Sequence, residues 1–571
     1  MPQSSNGPER KELPMEIRLL LAFLLMGVVL FLTPYFYKPQ PPPKPPGQPV
    51  AVQPSPTEPA KPAVQPKPEA APPKAPSSIA ADKEEEIVVE TGVYEVTLSN
   101  RGAVVRSWIL TDYHDGHGNA LQLISPAAAD RTGYPFSLVF KDSPPPADPN
   151  AALFAVQRTP DGLGLDFEFS DGASYFRKAF RFQRDSYLAE ISSEVFHNGT
   201  ALPHLLAWRG GFGDLAVPNA AATQHTVYYD LSQNKLIVNE AKKAKDGPVT
   251  ETGNYSFAGI QDAFFAAVVL PRNGSAFELR TYSDPVVAAN GATEEARVGA
   301  AFGGQGRNHF PVFVGPKDVE LLKQIDPRLQ TMVDFGWFSF LARPLFLALK
   351  WINNKWVGNY GWSIVVITIA INFLLLPLKF KSLKSMKKMQ LLQPQIKAIS
   401  EKYKGISLRD PRKTQQNEEM MALYKKHGVN PMGGCMPMLL QIPFFIAFYK
   451  VLTVAIELRG AAWLWVTDLS QPEHLPIRIL PIAMVVSQFI MQKMTPTTTM
   501  DPNQQRIMML MPLMMGFFFY GVSSGLVLYW LTSNVVGVAQ QWFFNKTGHV
   551  APVPVAEPKP EPKAARRRSR K

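Results

Sequence analysis

The chain has 571 residues, enough for more than one domain, and its hydrophobic fraction of 46% is ordinary for a globular protein. A formal net charge of +12 points to nucleic acid or to an anionic membrane surface. The single cysteine, Cys435, excludes an internal disulfide and a cysteine-rich metal site. The distribution of apolar residues decides between the two partners. Long uncharged runs cluster in residues 360–545, and the basic residues sit beside them.

Residues 1–15 are polar. Within residues 16–37 an apolar run, Leu19–Leu32, extends through Thr33–Tyr37, and no small-residue cleavage site follows. This predicts an uncleaved signal-anchor helix rather than a removed signal peptide. Residues 38–85 form a tether. Sixteen prolines fall in residues 38–79, a composition that cannot bury a core and favours extended polyproline-like chain.

Residues 86–328 change texture. Short alternating segments such as Val93–Leu98, Ala103–Trp108 and Asp166–Ser170 recur between Gly, Asn and Asp turn signals, which predicts a β-sandwich domain. Without disulfides it must be held by its apolar core. Six of the nine histidines lie here, and none forms a convincing ligand-spaced pair; His114 and His117 read as turn decoration. No paired acid and base marks a pocket, so no enzymatic activity, metal or cofactor is expected.

Residues 329–358 carry Trp, Phe, Lys and Arg343-Pro344 and are too short and charged to span, so they predict a helix lying in the membrane interface. Five apolar runs then read as transmembrane helices: 359–378, 436–458, 476–493, 507–522 and 523–544. Residues 379–435 hold thirteen Lys/Arg against four Asp/Glu and predict a helical hairpin from Met386–Tyr403 and Asn417–His427. The tail, 545–571, holds eight basic residues against two acidic ones. Basic segments stay in the cytoplasm. Six spans with both termini inside place the hairpin, the loop 494–506 and the tail in the cytoplasm. The β-domain and the loop 459–475 then lie outside.

Polar residues inside these runs are costly in lipid and face an interior or a wet cavity. Thr368 and Asn372, four apart, share a helix face. Gln441 shares one with Phe445 and Phe448; Tyr529, Thr532, Ser533 and Gln540 share another; Ser487, Gln488 and Gln492 belong to the fourth span. Taken together they favour a polar groove, with ordinary interhelical hydrogen bonding as the alternative. Lys450, nine residues from Gln441, falls on the opposite face and is expected to reach the outer headgroups. Twelve of the twenty methionines fall in residues 432–515, suited to a surface that accepts many helices or simply to lipid-facing filler. Lys379, Lys381, Lys384, Lys387 and Lys388 read as contacts to acidic headgroups, ribosomal RNA or substrate.

Several motifs carry a family resemblance. They are Gln393-Pro394, Glu418-Glu419-Met-Met-Ala-Leu-Tyr424-Lys425, Val429-Asn-Pro-Met-Gly-Gly-Cys-Met436-Pro437 and Gln441-Ile-Pro443-Phe-Phe. With them come Gln492-Lys-Met-Thr-Pro496 and Gly525-Leu-Val-Leu-Tyr529-Trp530-Leu-Thr-Ser533-Asn534. Residues 330–545 thereby resemble the YidC/Oxa-type membrane insertases, and the anchor, tether and outer β-domain resemble the Gram-negative form. The resemblance implies an α-helical polytopic inner-membrane protein of six transmembrane helices, five of them forming the insertase core. It also implies a large extracytoplasmic β-supersandwich domain similar to sugar-binding mutarotase domains. Its function would be to insert and help fold membrane proteins, alone or with a Sec translocon, without hydrolysis or a covalent step. The implied substrate groove comprises Thr368, Asn372, Gln441, Met436, Pro437, Ser487, Gln488, Tyr529, Trp530 and Ser533. The implied receiving hairpin includes Lys384, Lys387, Lys388, Gln393, Pro394 and Tyr424. Expected partners are nascent membrane proteins, the bilayer, a Sec translocon, and the ribosome through hairpin and tail, with no small molecule. Many relatives have an arginine where Asn372 falls, thought to attract acidic substrate residues; an uncharged Asn carries no such step, so a polar rather than charged groove is expected. A transporter is the competing class, but the spans show no internal repeat.

Overall fold

The computed structural model of the chain describes residues 78–547, apart from 116–117, 142–143, 215–219, 272–276, 288–293, 305, 405–409, 411, 430–435 and 495–501. Of residues 220, 413, 436–440 and 502–508 it describes the backbone only. The expected signal anchor, most of the tether, residues 495–501 of the expected loop 494–506 and the tail beyond 547 lie outside the described residues.

Residues 86–316 fold almost wholly as antiparallel strands in three sheets. A four-stranded sheet runs Glu86–Glu90, Tyr94–Ser99, Val104–His114, Ala120–Gln122. A ten-stranded sheet runs from Lys235–Glu240 through His225–Asp230, Tyr255–Gln261, Phe265–Val269, Arg307–Pro316, Leu188–His197, Ser174–Phe182 and Gly164–Ser170 to Ala155–Arg158, with Thr200–Ala201 beside it. A five-stranded sheet joins Val249–Gly253, Phe277–Val287, Glu294–Gly303, Leu205–Trp208 and Ser137–Val139. The period-two pattern explains the burial. In Ser174–Phe182 the residues Phe176, Lys178, Phe180 and Phe182 point inward while Tyr175, Arg177 and Arg181 point out. Phe136, Phe167, Phe176, Phe180, Trp108 and Trp208 fill the core between the sheets.

One inward position holds a lysine. Lys178 is fully buried, and its ammonium donates to the carbonyls of Gly102 (2.7 Å), Ala103 (3.2 Å) and Phe136 (2.7 Å). Burial pushes its pKa down from 10.5 to about 7. Nearby, buried His204 is held neutral, its pKa pushed down to about 4 by burial. Its Nε2 pairs with Ser193 Oγ at 2.7 Å.

The other face of the ten-stranded sheet, with Val227, Phe257, Val268 and Phe313, packs on helix α1 (Val319–Ile325) and the turn Leu329–Met332. The same apolar cluster continues without interruption into α2 (Ser339–Ile352) and the helices beyond. In α2 the residues Ala342, Leu345, Phe346, Leu349 and Ile352 face inward at helical spacing. Phe340, Leu347 and Trp351, with Trp337 and Trp356, are exposed. A π-helical turn, Asn353–Val357, ends at Gly358, whose φ of 66° suits a glycine. There the chain bends by 116° into α3 (Tyr360–Leu374), which Asn359 caps.

The second span was expected at 359–378, but α3 stops at Leu374 and Leu376–Leu378 open the next helix, α4 (Leu376–Lys402). Pro377 has no N–H for the Phe373 carbonyl and its ring crowds that turn, so the helix breaks at Leu375. The hairpin helices are also longer than expected: α4 begins ten residues before Met386, and α5 spans Arg412–Lys426. Then follow α6 (Met436–Val454), a 3-10 turn Ile456–Leu458, α7 (Ile479–Met494), α8 (Pro502–Phe519) and α9 (Ser524–Thr547). Among the described residues no single helix is long and apolar enough to cross a membrane by itself; the bent pair of α2 with its π turn and α3 meets that measure jointly.

Two ionic clusters, the first buried and the second partly exposed, join the β-domain and the segment that follows it to the helices. Arg459, after α6, pairs with Asp214 and donates to the His114 carbonyl at 2.9 Å, between the rings of Phe264 and Phe265. The Asp214 N–H donates to Asp262, whose own carbonyl accepts from Lys317 at 2.7 Å. Lys350 of α2 lies within 3.5 Å of Asp318, Glu320 and Glu457.

Candidate functional site

Three helices bring their polar residues to one point. Ser533 of α9 is buried, and its Oγ accepts from Asn372 Nδ2 of α3 at 3.4 Å and from Gln441 Nε2 of α6 at 3.1 Å. The i, i+4 spacing stacks Asn372 on Thr368: its Nδ2 also donates to the Thr368 carbonyl at 2.8 Å. Thr368 Oγ1 turns back to the Ile364 carbonyl at 2.6 Å. These side chains face one another inside the bundle, and Thr368, Asn372 and Ser533 are all buried.

A cation stands beside this cluster, and it is Lys379. Its ammonium, at the start of α4, donates to Asn372 Oδ1 at 2.6 Å and to Gln540 Oε1 of α9 at 3.3 Å. Gln540 closes the ring by donating to the Asn372 carbonyl at 3.3 Å. Lys450, expected on the opposite face of its helix from Gln441, packs against Gly336, where an added Cβ would lie 3.0 Å from Lys450 Cε. An ammonium thus lies beside the uncharged Asn372, and Lys379 stands apart from the other hairpin lysines.

A second polar link joins α9 to α7. Asn534 Nδ2 donates to Ser487 Oγ at 3.0 Å, and Ser487 donates to the Met484 carbonyl at 2.7 Å. The two helices approach closely at Gly537, where a Cβ would come within 2.8 Å of Met491. Gln488 lies one residue further, partly buried, its Oε1 lacking a partner among the described residues.

Aromatic rings close the site on the side of the loop 459–475, which bonds the start of α9 through Leu469 and Gln471. Tyr529 stacks on Phe448 at 4.7 Å between centroids, and Trp530 meets Phe445 edge-on at 4.9 Å and Phe519 at 5.1 Å. Gln441 precedes Phe445 and Phe448 along α6, and Ser533 follows Tyr529 along α9, so polar and aromatic layers are stacked in the same order on both helices. Met436 and Pro437 open α6, and their side chains lie outside the description.

The hairpin has a small core of its own. Met389, Leu392 and Ile396 of α4 pack on Tyr424 and Val429. Lys384, Gln393 and Pro394 are exposed, and Lys388 is partly so. Lys387 lies over the Phe544 ring at 5.8 Å. Hence these residues form a solvated face rather than part of the buried cluster.

Comparison with known proteins covers nearly the whole described chain. The family described as "YidC periplasmic domain" matches residues 86–348, and that described as "60Kd inner membrane protein" matches residues 351–550. A "Membrane protein insertase YidC" of Pelobacter propionicus is 34% identical over 93% of this chain and 99% of its own. A protein of the same name from Wolinella succinogenes is 50% identical over 41% of this chain and 42% of its own. A solved structure titled "Active YidC insertase crystal structure with the first transmembrane domain resolved" aligns with 81% of this chain and 94% of its own, at 18% identity and a TM-score of 0.35.

Proposed function

The chain belongs to the YidC family of membrane protein insertases, and we propose that it performs insertion through the buried polar cluster centred on Ser533. It is an inner-membrane insertase with a periplasmic β-domain, not an enzyme, and its substrates are nascent membrane proteins. In the finer reading the periplasmic domain is a β-supersandwich, and six spans leave both termini, the hairpin and the tail in the cytoplasm. A Sec translocon and the ribosome are proposed partners, the ribosome through the basic hairpin and tail.

One observation carries the groove: Asn372, Gln441 and Ser533 meet on the cytoplasmic side of the aromatic layer in this topology. Carrying one charged residue through the centre of a bilayer costs roughly 2.5–3.5 kcal/mol on insertion scales. Hydrogen-bonding groups that reach inward from the cytoplasm shorten the apolar distance a polar tail must cross. Helix length acts in the same direction. At 1.5 Å per residue, the 15 residues of α3 and 16 of α7 extend only about 22–24 Å, short of a hydrocarbon core of roughly 30 Å. A bilayer adapting to them thins locally. The incoming apolar segment then moves sideways into lipid, along a face such as that of α8, where Met509, Leu510, Leu513, Phe517 and Phe518 are exposed.

The test is reconstitution. Liposomes holding the full chain, given a single-span substrate with a short polar tail, should protect that tail from external protease. Protection no greater than in empty liposomes would overturn the reading.

A further inference from the structure

Resting on that reading, we propose that Lys379 is a latch that fastens the cytoplasmic hairpin to the spans, and that a carboxylate on the incoming segment releases it.

The geometry joins two parts of the molecule through one ammonium. Lys379 belongs to α4, the first hairpin helix, and stands two residues beyond Pro377, where the backbone is already broken from α3. Its two acceptors, Asn372 Oδ1 and Gln540 Oε1, belong to the spans α3 and α9. Asn372 is also bonded to Ser533, the meeting point of the site. Close by, Phe380 packs on Phe544 at 5.9 Å, so the hairpin's hold on α9 includes this ring pair and the Lys387–Phe544 contact beside the Lys379 bond to Gln540.

The chemistry of the pair is unequal. Lys379 is a partly buried cation whose acceptors are neutral amide oxygens, and it has no carboxylate partner among the described residues. A cation withdrawn from water is stabilised far more by an anion than by amides. An aspartate or glutamate entering beside Asn372 is therefore a better partner than those present. When it takes the ammonium, Asn372 and Gln540 lose their shared donor and α4 is left hinged at the Leu375 break. Charge recognition and hairpin release become one event. The ligand class is a carboxylate-bearing polar segment, and apolar or uncharged tails leave the latch closed.

The experiment uses the full chain in liposomes and a single-span substrate whose short translocated tail carries two aspartates, or two asparagines in their place. Lys379→Met should lower protection of the aspartate tail about tenfold relative to wild type, and leave the asparagine tail within about twofold. Lys379→Arg should keep both, because it keeps the cation. A purely structural pin would affect the two tails alike. In parallel, with Cys435→Ser as background, spin labels at Lys397→Cys and Trp542→Cys, both exposed, report the distance from hairpin to core. That distribution should broaden on adding the aspartate-tailed substrate and in Lys379→Met without substrate. Equal losses on both tails, or an unchanged distance in Lys379→Met, would overturn the latch alone. Wild type failing on both tails would overturn the insertase reading, and the latch with it.

Discussion

Arg459 and Asp214 stand 245 residues apart in sequence and meet as an ion pair whose side chains are 4% and 3% exposed. One belongs to the loop after α6 and the other to the β-domain. At this depth the pair's attraction roughly offsets its desolvation, but one partner alone is strongly unfavourable. The β-domain is thereby fixed against the helices by a contact that cannot be half removed.

Asp214→Asn should accordingly destabilise the full chain by about 3–5 kcal/mol, and Arg459→Met by a similar amount. The double variant Asp214→Leu/Arg459→Met should lie well above either single one. Thermal unfolding in detergent measures all three, and additive losses would mean that the two charges do not depend on each other.

Lys178 gives the β-domain a definite pH dependence. Its folded pKa, about 7, lies below the 10.5 of the free side chain. Between those values the unfolded chain binds the extra proton, so stability rises with pH across that window and is lowest at and below pH 7. Each pKa unit corresponds to about 1.4 kcal/mol. Lys178→Met loses the carbonyl contacts at every pH but removes this slope. The Tm of wild type should therefore gain on that of the variant between pH 7 and pH 10, whereas parallel curves would contradict the assignment.

Ser533→Ala deletes the acceptor that buried Asn372 and partly buried Gln441 share, leaving each amide one hydrogen bond short, at a cost of about 1–3 kcal/mol. Insertion of a short-tailed substrate should fall several-fold, and Ser533→Thr, which keeps the hydroxyl, should retain most of it. Loss of thermal stability without loss of insertion would reduce Ser533 to a packing residue.

In the hairpin, burial separates two kinds of residue. Tyr424 is 7% exposed within the small hairpin core, so Tyr424→Ala should increase protease cleavage across residues 376–426. Lys402 pairs with Glu419 at 2.6 Å on the open surface, where solvent screens the interaction, and Lys402→Ala should leave the cleavage pattern unchanged. Similar patterns for both variants would place the hairpin's stability outside its apolar core.

The strand texture of residues 86–316 is visible in the sequence where alternation is clear, as in most of Ser174–Phe182, whereas Tyr255–Gln261 and Phe265–Val269 are buried on both faces. The same alternation hides Lys178: a lysine at an inward position reads as an error until the carbonyls of Gly102, Ala103 and Phe136 are seen around it. Asn372, Gln441 and Ser533 are legible as polar residues in apolar runs, though which of them touch depends on how the helices pack. Lys379 carries a sequence signal of its own. Seven residues from Asn372, it is 700° further round, within about 20° of the same face. A span that ends at Leu378 groups it with the surface charges instead. Arg459 and Asp214 left no such trace, since only the folded chain brings them together.

The central claim, that an incoming segment meets the polar cluster, is tested most directly by photocrosslinking. A benzoylphenylalanine at Gln441, in the cluster, and another at the exposed Phe517 of α8 can be compared on stalled nascent chains in native membranes. The account predicts that Gln441 crosslinks to nascent chains whose polar tail has not yet crossed, and that this adduct fades once insertion is complete. Adducts from Gln441 to lipid alone, with nascent chains captured only at Phe517, would contradict it.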